Sequence, residues 1–93
     1  MIKTFGNRDT ERIWLGESVL NMALPIQNVA RRKLRMIHNS CTLQDLKVPP
    51  SNNLEKLKGD LKGFYSIRVN RQWRTVFLWL NSDAYEVKIM DYH

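Results

Sequence analysis

The sequence predicts an α+β domain, with helices first and a mainly antiparallel sheet after. Three observations carry that expectation. Apolar residues recur at three- and four-residue spacing through residues 26–37. From residue 54 onward the chain breaks into short runs of alternating or wholly apolar residues of β type. Between them, Val48-Pro49-Pro50-Ser51-Asn52-Asn53 removes two backbone donors and forces extended geometry. Helices that precede an antiparallel meander pack on one face of it and leave the other face partly open. The 93 residues, 43% of them apolar, suffice for one compact domain spanning 1–93, without a second core.

Residues 1–5 (MIKTF) read as a short edge strand that ends at Gly6-Asn7. Asp9 or Thr10 then caps a short helix reaching about Leu15, with Glu11 in its first turn, where the helix dipole favours an anion. Pro25 opens the clearest helix, since the first turn has no hydrogen bond for proline to lose. Its apolar stripe is Ile26, Val29, Ala30, Leu34 and Ile37, and the opposite side carries Arg31, Arg32 and Arg35, with Lys33 at the border. It closes near His38-Asn39-Ser40. Thr42 caps a helical turn through about Leu46.

Residues 54–58 form the first strand of the meander, and a turn with glycine at both ends, Gly59 and Gly63, follows. Residues 64–69 alternate, with Tyr65, Ile67 and Val69 on one face and Ser66 and Arg68 on the other. Asn70-Arg71-Gln72 turns the chain into residues 73–80 (WRTVFLWL), apolar on both faces and therefore central. Asn81-Ser82-Asp83 is a hairpin turn. Residues 84–90 alternate again, Tyr85, Val87 and Ile89 on one side against Glu86, Lys88 and Met90 on the other. Asp91-Tyr92-His93 ends the chain.

The charge is uneven. Of the net +6, four units sit in residues 54–74, where Lys56, Lys58, Lys62, Arg68, Arg71 and Arg74 face only Glu55 and Asp60. A basic, strand-borne surface suits a polyanion, RNA above all. A solvated face on an ordinary basic domain is the plainer reading, and it applies equally to the arginines of the long helix. The lone Cys41 excludes an internal disulfide and a cysteine-based zinc cluster, and His38 and His93 have no metal-ligand spacing. No signal peptide or long apolar run is present, so a cytoplasmic protein without a membrane association is expected.

RNA can be cut without metal or cofactor when its own 2′-hydroxyl attacks the adjacent phosphate. Such a site needs a base, an acid for the departing 5′-oxygen, and cations around the phosphorus. The candidate acid–base groups are Glu55, Asp91 and His93. Lys58 and Arg74 are candidate phosphate clamps, Arg74 the better because its planar fork fits two phosphate oxygens. Tyr92 can stack on a base or donate a proton. Structural roles compete with each of these. Glu55 can pair with a cross-strand cation. Arg74 can tie strand ends together, and Trp73, Phe77 and Trp79 fit a core better than a stacking platform.

These residues also carry a resemblance. L-x-G-x-x-x-G over residues 57–63 does not stand alone: it is followed by S-I-R-V-N-x-x-W-R over residues 66–74 and a terminal D-Y-H. Together with the opening MIKTF and the short chain, this resembles the HigB toxins of the RelE/ParE superfamily of bacterial type II toxin–antitoxin systems. The resemblance implies a compact RelE-like fold and ribosome-dependent cleavage of mRNA in the A site of the small subunit, an mRNA-interferase activity that halts translation. It implies a 2′,3′-cyclic phosphate and a 5′-hydroxyl as products. It implies a HigA-like helix-turn-helix antitoxin, with operator DNA bound only through the toxin–antitoxin complex. Family roles fall on Lys58, Arg74, Asp91, Tyr92 and His93, while Arg31, Arg32, Arg35, Lys56, Lys62, Arg68 and Arg71 become the RNA- or ribosome-facing set. Relatives carry a histidine where this chain has Glu55. A carboxylate accepts a proton but donates one at neutral pH only if its pKa is raised. The superfamily leaves two alternatives: a ParE-like inhibitor of DNA gyrase, against which the terminal Asp91-Tyr92-His93 argues, and a weakly catalytic or non-catalytic RNA-binding homologue.

Overall fold

The computed structural model describes residues 1–91; Tyr92 and His93 lie outside the described residues. Two helices lead, α1 (Arg8–Trp14) and α2 (Leu24–Asn39). Two 3-10 turns follow, Leu43–Lys47 and Pro50–Asn52, and then strands β1 (Glu55–Lys56), β2 (Phe64–Arg68), β3 (Trp73–Leu80) and β4 (Asp83–Asp91). A third 3-10 turn, Gly59–Leu61, links β1 to β2. The sheet is an antiparallel meander in the order β1-β2-β3-β4, and the helices cover one face of it.

The helix-side core joins Ile13 of α1 and Ala30, Leu34 and Ile37 of α2 to Ile67, Phe77, Val87 and Ile89 of the sheet. Ile26 and Val29 of the predicted stripe are half-buried beside it. The α2 arginines divide. Arg32 and Arg35 are exposed as expected, but Arg31 is half-buried and not part of the wet face. Its Nε donates to the carbonyl of Ile13 (2.7 Å) and its Nη1 to Asn28 Oδ1 (3.1 Å). A guanidinium thus joins the Gly16 amide (3.1 Å) on a carbonyl in the last turn of α1.

The start of α1 differs from expectation by a few residues. Asn7, not Asp9 or Thr10, is the cap: its Oδ1 accepts from the amide of Thr10 (2.9 Å). Thr10 is buried, and its hydroxyl instead accepts from the amide of Ile89 on β4 (2.9 Å). At the start of α2 no side chain caps the helix at Ala23. The buried Gln27 compensates by holding the preceding loop: its Nε2 donates to the carbonyls of Val19 and Met22, and its Oε1 accepts from the amide of Val19 (3.1 Å).

Residues 1–5 do lie along the sheet edge, but only as two isolated parallel bridges, Ile2 to Ala84 and Phe5 to Val87. The interruption comes from β4. Val76 pairs with Lys88 and Leu78 with Tyr85, so Glu86 and Val87 together oppose Phe77. Glu86 sits in the left-handed region (φ 51°), and its amide is taken by Thr4 Oγ1 (2.8 Å) instead of a backbone carbonyl. This bulge shifts the alternation by one residue. The inward set on β4 is therefore Ala84, Val87 and Ile89; Tyr85 pairs with Leu78 on the other face and is only half-buried. Gly6 has a related cause. A Cβ there would lie 2.8 Å from the carbonyl oxygen of Glu86.

β1 is shorter than residues 54–58, although the amide of Leu57 still donates to the carbonyl of Phe64 (2.9 Å). β3 keeps its predicted bounds, and its residues from Trp73 to Phe77 are all buried. The β3–β4 hairpin turns on Asn81 and Ser82, both with positive φ (50° and 66°), as a tight two-residue hairpin requires.

Candidate functional site

Cross-strand partners share a face of the sheet, so register places the site residues. Glu55 pairs with Ser66, Arg68 with Arg74, and Ser66 with Val76. Glu55, Ser66, Arg68 and Arg74 therefore stand on the face opposite the helices. The β2–β3 turn that brings Arg68 to Arg74 is shaped by Asn70, whose Oδ1 accepts from the amides of Gln72 (2.9 Å) and Trp73 (2.7 Å). The short polar side chain replaces a backbone acceptor at the bend.

The result is a polar recess of about 400 Å³ lined by Asn53, Glu55, Arg68, Asn70, Arg71 and Arg74. Three guanidiniums and one carboxylate share it. Arg74 is 7% exposed. Its Nε donates to Ser66 Oγ (2.9 Å), and its Nη2 donates to the carbonyls of Asn53 (2.7 Å) and Ser66 (3.3 Å). The guanidinium is thus both a wall of the recess and a tie between the loop before β1 and strand β2. Asn53 serves both sides of the site. It adopts the left-handed region (φ 47°), its carbonyl accepts from Arg74, and its amide Nδ2 donates to Glu55 Oε1 (3.3 Å). A carboxylate held by an amide thus stands beside one buried, hydrogen-bonded guanidinium and two exposed ones, an arrangement that can accept a proton close to an anion.

Of the catalytic candidates, the recess gathers Glu55 and Arg74; of the RNA-facing set, it adds Arg68 and Arg71. Asp91 ends β4 opposite Trp73, on the helix-side face and not that of the recess, and its Oδ2 accepts from Gln72 Nε2 (3.0 Å), at the same end of the sheet as the β2–β3 turn. Lys58 is exposed just ahead of the Gly59–Leu61 turn and does not line the recess. Lys56 pairs with Tyr65 and so belongs to the opposite face. Lys62, Arg32 and Arg35 are exposed and do not line the recess, and Arg31 is engaged with α1. Tyr92 and His93 fall outside the described residues.

Sequence reading missed Asn53 and Asn70. The signal available was their residue type: asparagine tolerates the left-handed region and bonds its own turn. Among the described residues no group of three or more His, Cys, Asp or Glu is placed to hold a metal ion, and no helix is long and apolar enough to cross a membrane.

The family of RelE-like toxins of type II toxin–antitoxin system HigB matches residues 9–93. Toxin HigB-1 of Vibrio cholerae serotype O1 is 44% identical over 59 residues, which span 63% of this chain and 62% of that relative's length. Endoribonuclease HigB of Proteus vulgaris is 33% identical over the whole of both chains. Among solved structures, a YoeB-YefM complex from Staphylococcus aureus superposes with a TM-score of 0.63 at 22% identity, covering 100% of this chain and 95% of that one. A heterotetrameric YoeB-YefM complex from the same organism gives 0.60 at 17% identity, covering 100% and 98%. These two likenesses speak for the fold, which is RelE-like. The family match over residues 9–93 and the full-length likeness to a HigB protein identify the chain as a member of the HigB-like toxin family, the RelE-like toxins of type II toxin–antitoxin systems.

Proposed function

We propose that this chain, an endoribonuclease toxin of the HigB family, cuts mRNA in the A site of the translating ribosome without a metal ion. One observation supports this most: Glu55 of β1 is brought into a single recess with Arg68, Arg71 and Arg74 of the β2–β3 hairpin. The arginines hold the scissile phosphate and offset the charge that develops on it. Glu55, oriented by Asn53, takes the proton of the 2′-hydroxyl. The O2′–P bond forms, the P–O5′ bond breaks, and the 5′-oxygen leaves with a proton. The products are a 2′,3′-cyclic phosphate and a 5′-hydroxyl. Asp91, Tyr92 and His93 are proposed as the acid side of the reaction, and Lys58 as a contact to a flanking phosphate. Inside the cell the partner is a HigA-like helix-turn-helix antitoxin, and operator DNA is bound through that complex in the cytoplasm.

The test is expression of the chain alone, with primer extension on cellular messages and a cleavage assay with and without ribosomes and chelator. Growth arrest with codon-spaced cuts that need ribosomes and survive chelation is expected. Intact messages in arrested cells would refute cleavage, and cuts on naked RNA would refute the ribosome requirement. Glu55 favours a second reading, a weakly cleaving toxin, because a carboxylate replaces the relatives' histidine. Glu55→His separates the two: a rise in cleavage marks a competent site short of an acid–base group, and a fall marks Glu55 as the working base.

A further inference from the structure

The bulge in β4 decides which side chains share a face with the recess. Cross-strand pairing arranges the face opposite the helices in rows. Arg68, Arg74 and Met90 form one, Ser66, Val76 and Lys88 the next, and Phe64, Leu78 and Tyr85 the one after. Strict alternation back from Ile89 and Val87 would point Tyr85 at the helices. The extra residue at the bulge sends it to the face of the recess instead. The bend is strained: Glu86 is held in the left-handed region (φ 51°), and Thr4 Oγ1 takes its amide (2.8 Å). Bulges beside functional sites commonly re-aim a side chain in this way.

The row that receives Tyr85 is aromatic and open. Phe64, Leu78 and Tyr85 are half-buried and lie outside the core that the helices close. Rings inside that core engage one another, Tyr65 with Phe77 and Phe77 with Trp79. The rings of Phe64 and Tyr85 touch no other ring among the described residues, and the Tyr85 hydroxyl has no hydrogen-bond partner there. Lys88 stands in the adjoining row and Arg74 in the one beyond. Of the acids near Tyr85, Asp83 already pairs with the Met1 amino group (3.3 Å), and Glu86 is exposed on the bulge itself.

We infer that Tyr85, backed by its cross-strand partner Leu78 and with Phe64 in the same row, is a stacking subsite for a nucleobase of the RNA strand whose scissile phosphate the recess holds. The inference rests on the reading of the recess as the RNA site. Leu78 stands four residues along β3 from Arg74, which is about 13 Å at the rise of a β-strand. The stacked base therefore belongs to a nucleotide a few positions along the strand, not to the one being cut. An aliphatic residue opposite Leu78 would satisfy the strand pairing. The ring adds a flat π-face, which stacks on any base with little sequence preference. A protein partner fits this row less well, because interface centres are depleted of charge and the row borders Lys88.

The test follows the fluorescence anisotropy of two labelled decamers with the full chain. One is 2′-O-methyl RNA, which lacks the attacking hydroxyl, and the other is a strand of stable abasic residues with the same phosphates. Tyr85→Ala should weaken the RNA decamer at least about fivefold and the abasic one by less than about twofold. Tyr85→Phe retains the ring and should keep RNA affinity within about twofold. Tyr85→Leu, which keeps an apolar partner for Leu78 if alanine prevents folding, should lose RNA affinity as alanine does. Arg71→Ala should weaken both decamers alike. RNA affinity unchanged in Tyr85→Ala and Tyr85→Leu would overturn the stacking site. An equal loss for both decamers would overturn it too, because the abasic strand has no base to stack. If Arg71→Ala changed neither decamer while the Tyr85 loss persisted, the recess reading would fall and the stacking surface would stand.

Discussion

Replacing Arg74 by alanine removes a phosphate clamp and a structural tie in the same step, and the structure indicates how large the second effect is. Arg74 is almost wholly buried and donates to Ser66 Oγ, the Asn53 carbonyl and the Ser66 carbonyl at 2.9, 2.7 and 3.3 Å. The first two are well-made bonds from a charged donor, worth about 1.5–3 kcal/mol each, and alanine leaves both acceptors without that donor. The expected loss is thus about 3–6 kcal/mol. A chain of this length has a total stability of about 5–14 kcal/mol. Urea denaturation should show Arg74→Ala losing a large share of that stability, and an inactive Arg74→Ala would by itself say little about the phosphate. Asn53→Gly is the cleaner partner experiment. Glycine accepts the left-handed φ of 47° and keeps the carbonyl that Arg74 holds, but it removes the amide that orients Glu55. Stability should change by less than about 1 kcal/mol while cleavage falls. An Arg74→Ala protein less than 1 kcal/mol weaker than the parent would refute the ties as described.

Three further outcomes follow from the fold. Thr75 Oγ1 is buried and has no hydrogen-bond partner among the described residues, so Thr75→Val should stabilise the domain by about 1–2 kcal/mol in denaturant unfolding. Asp45 accepts from the amides of Cys41 and Thr42, which lower its pKa. Its folded-state pKa is below the unfolded one, so its contribution is present above the ordinary carboxylate value and lost as pH falls through the folded value. Asp45→Asn should therefore lower Tm at pH 7, and the difference from the parent should close in strong acid. Gly6→Ala pushes a methyl group to 2.8 Å from the Glu86 carbonyl and should cost about 1–3 kcal/mol, with amide exchange at Gly6 and Val87 accelerated.

Much of the fold was legible because its strongest elements depend on local pattern. α2 has a complete apolar stripe and a proline in its first turn, and β3 is an apolar run bounded by turn residues at both ends. The phase of β4 was not legible. A single left-handed residue, Glu86, inverts every expectation on one side of it, and nothing about a glutamate announces that conformation. Asn7, Asp9 and Thr10 are all capping types, so only the three-dimensional position of Ile89 shows that Thr10 is needed elsewhere. The site divides in the same way. Charge singled out Arg68, Arg71 and Arg74, and the structure gathers all three. Charge could not separate Arg31, which bonds the Ile13 carbonyl of α1, from Arg32, which stays exposed, because both occupy the outer arc of the same helix.

The paired first residues have a consequence for how other proteins can hold this domain. Lys3 and Gly6 donate to carbonyls of β4, and Ala84 and Val87 of β4 donate to carbonyls of Met1 and Thr4. That border of the sheet therefore has few backbone groups to offer a visiting strand. The opposite border is β1, a strand only two residues long, with lysine among its residues. Short, charged or covered edges resist strand addition. The domain thus guards itself against edge-to-edge aggregation when it accumulates in excess, and a binding partner must read it through its side chains.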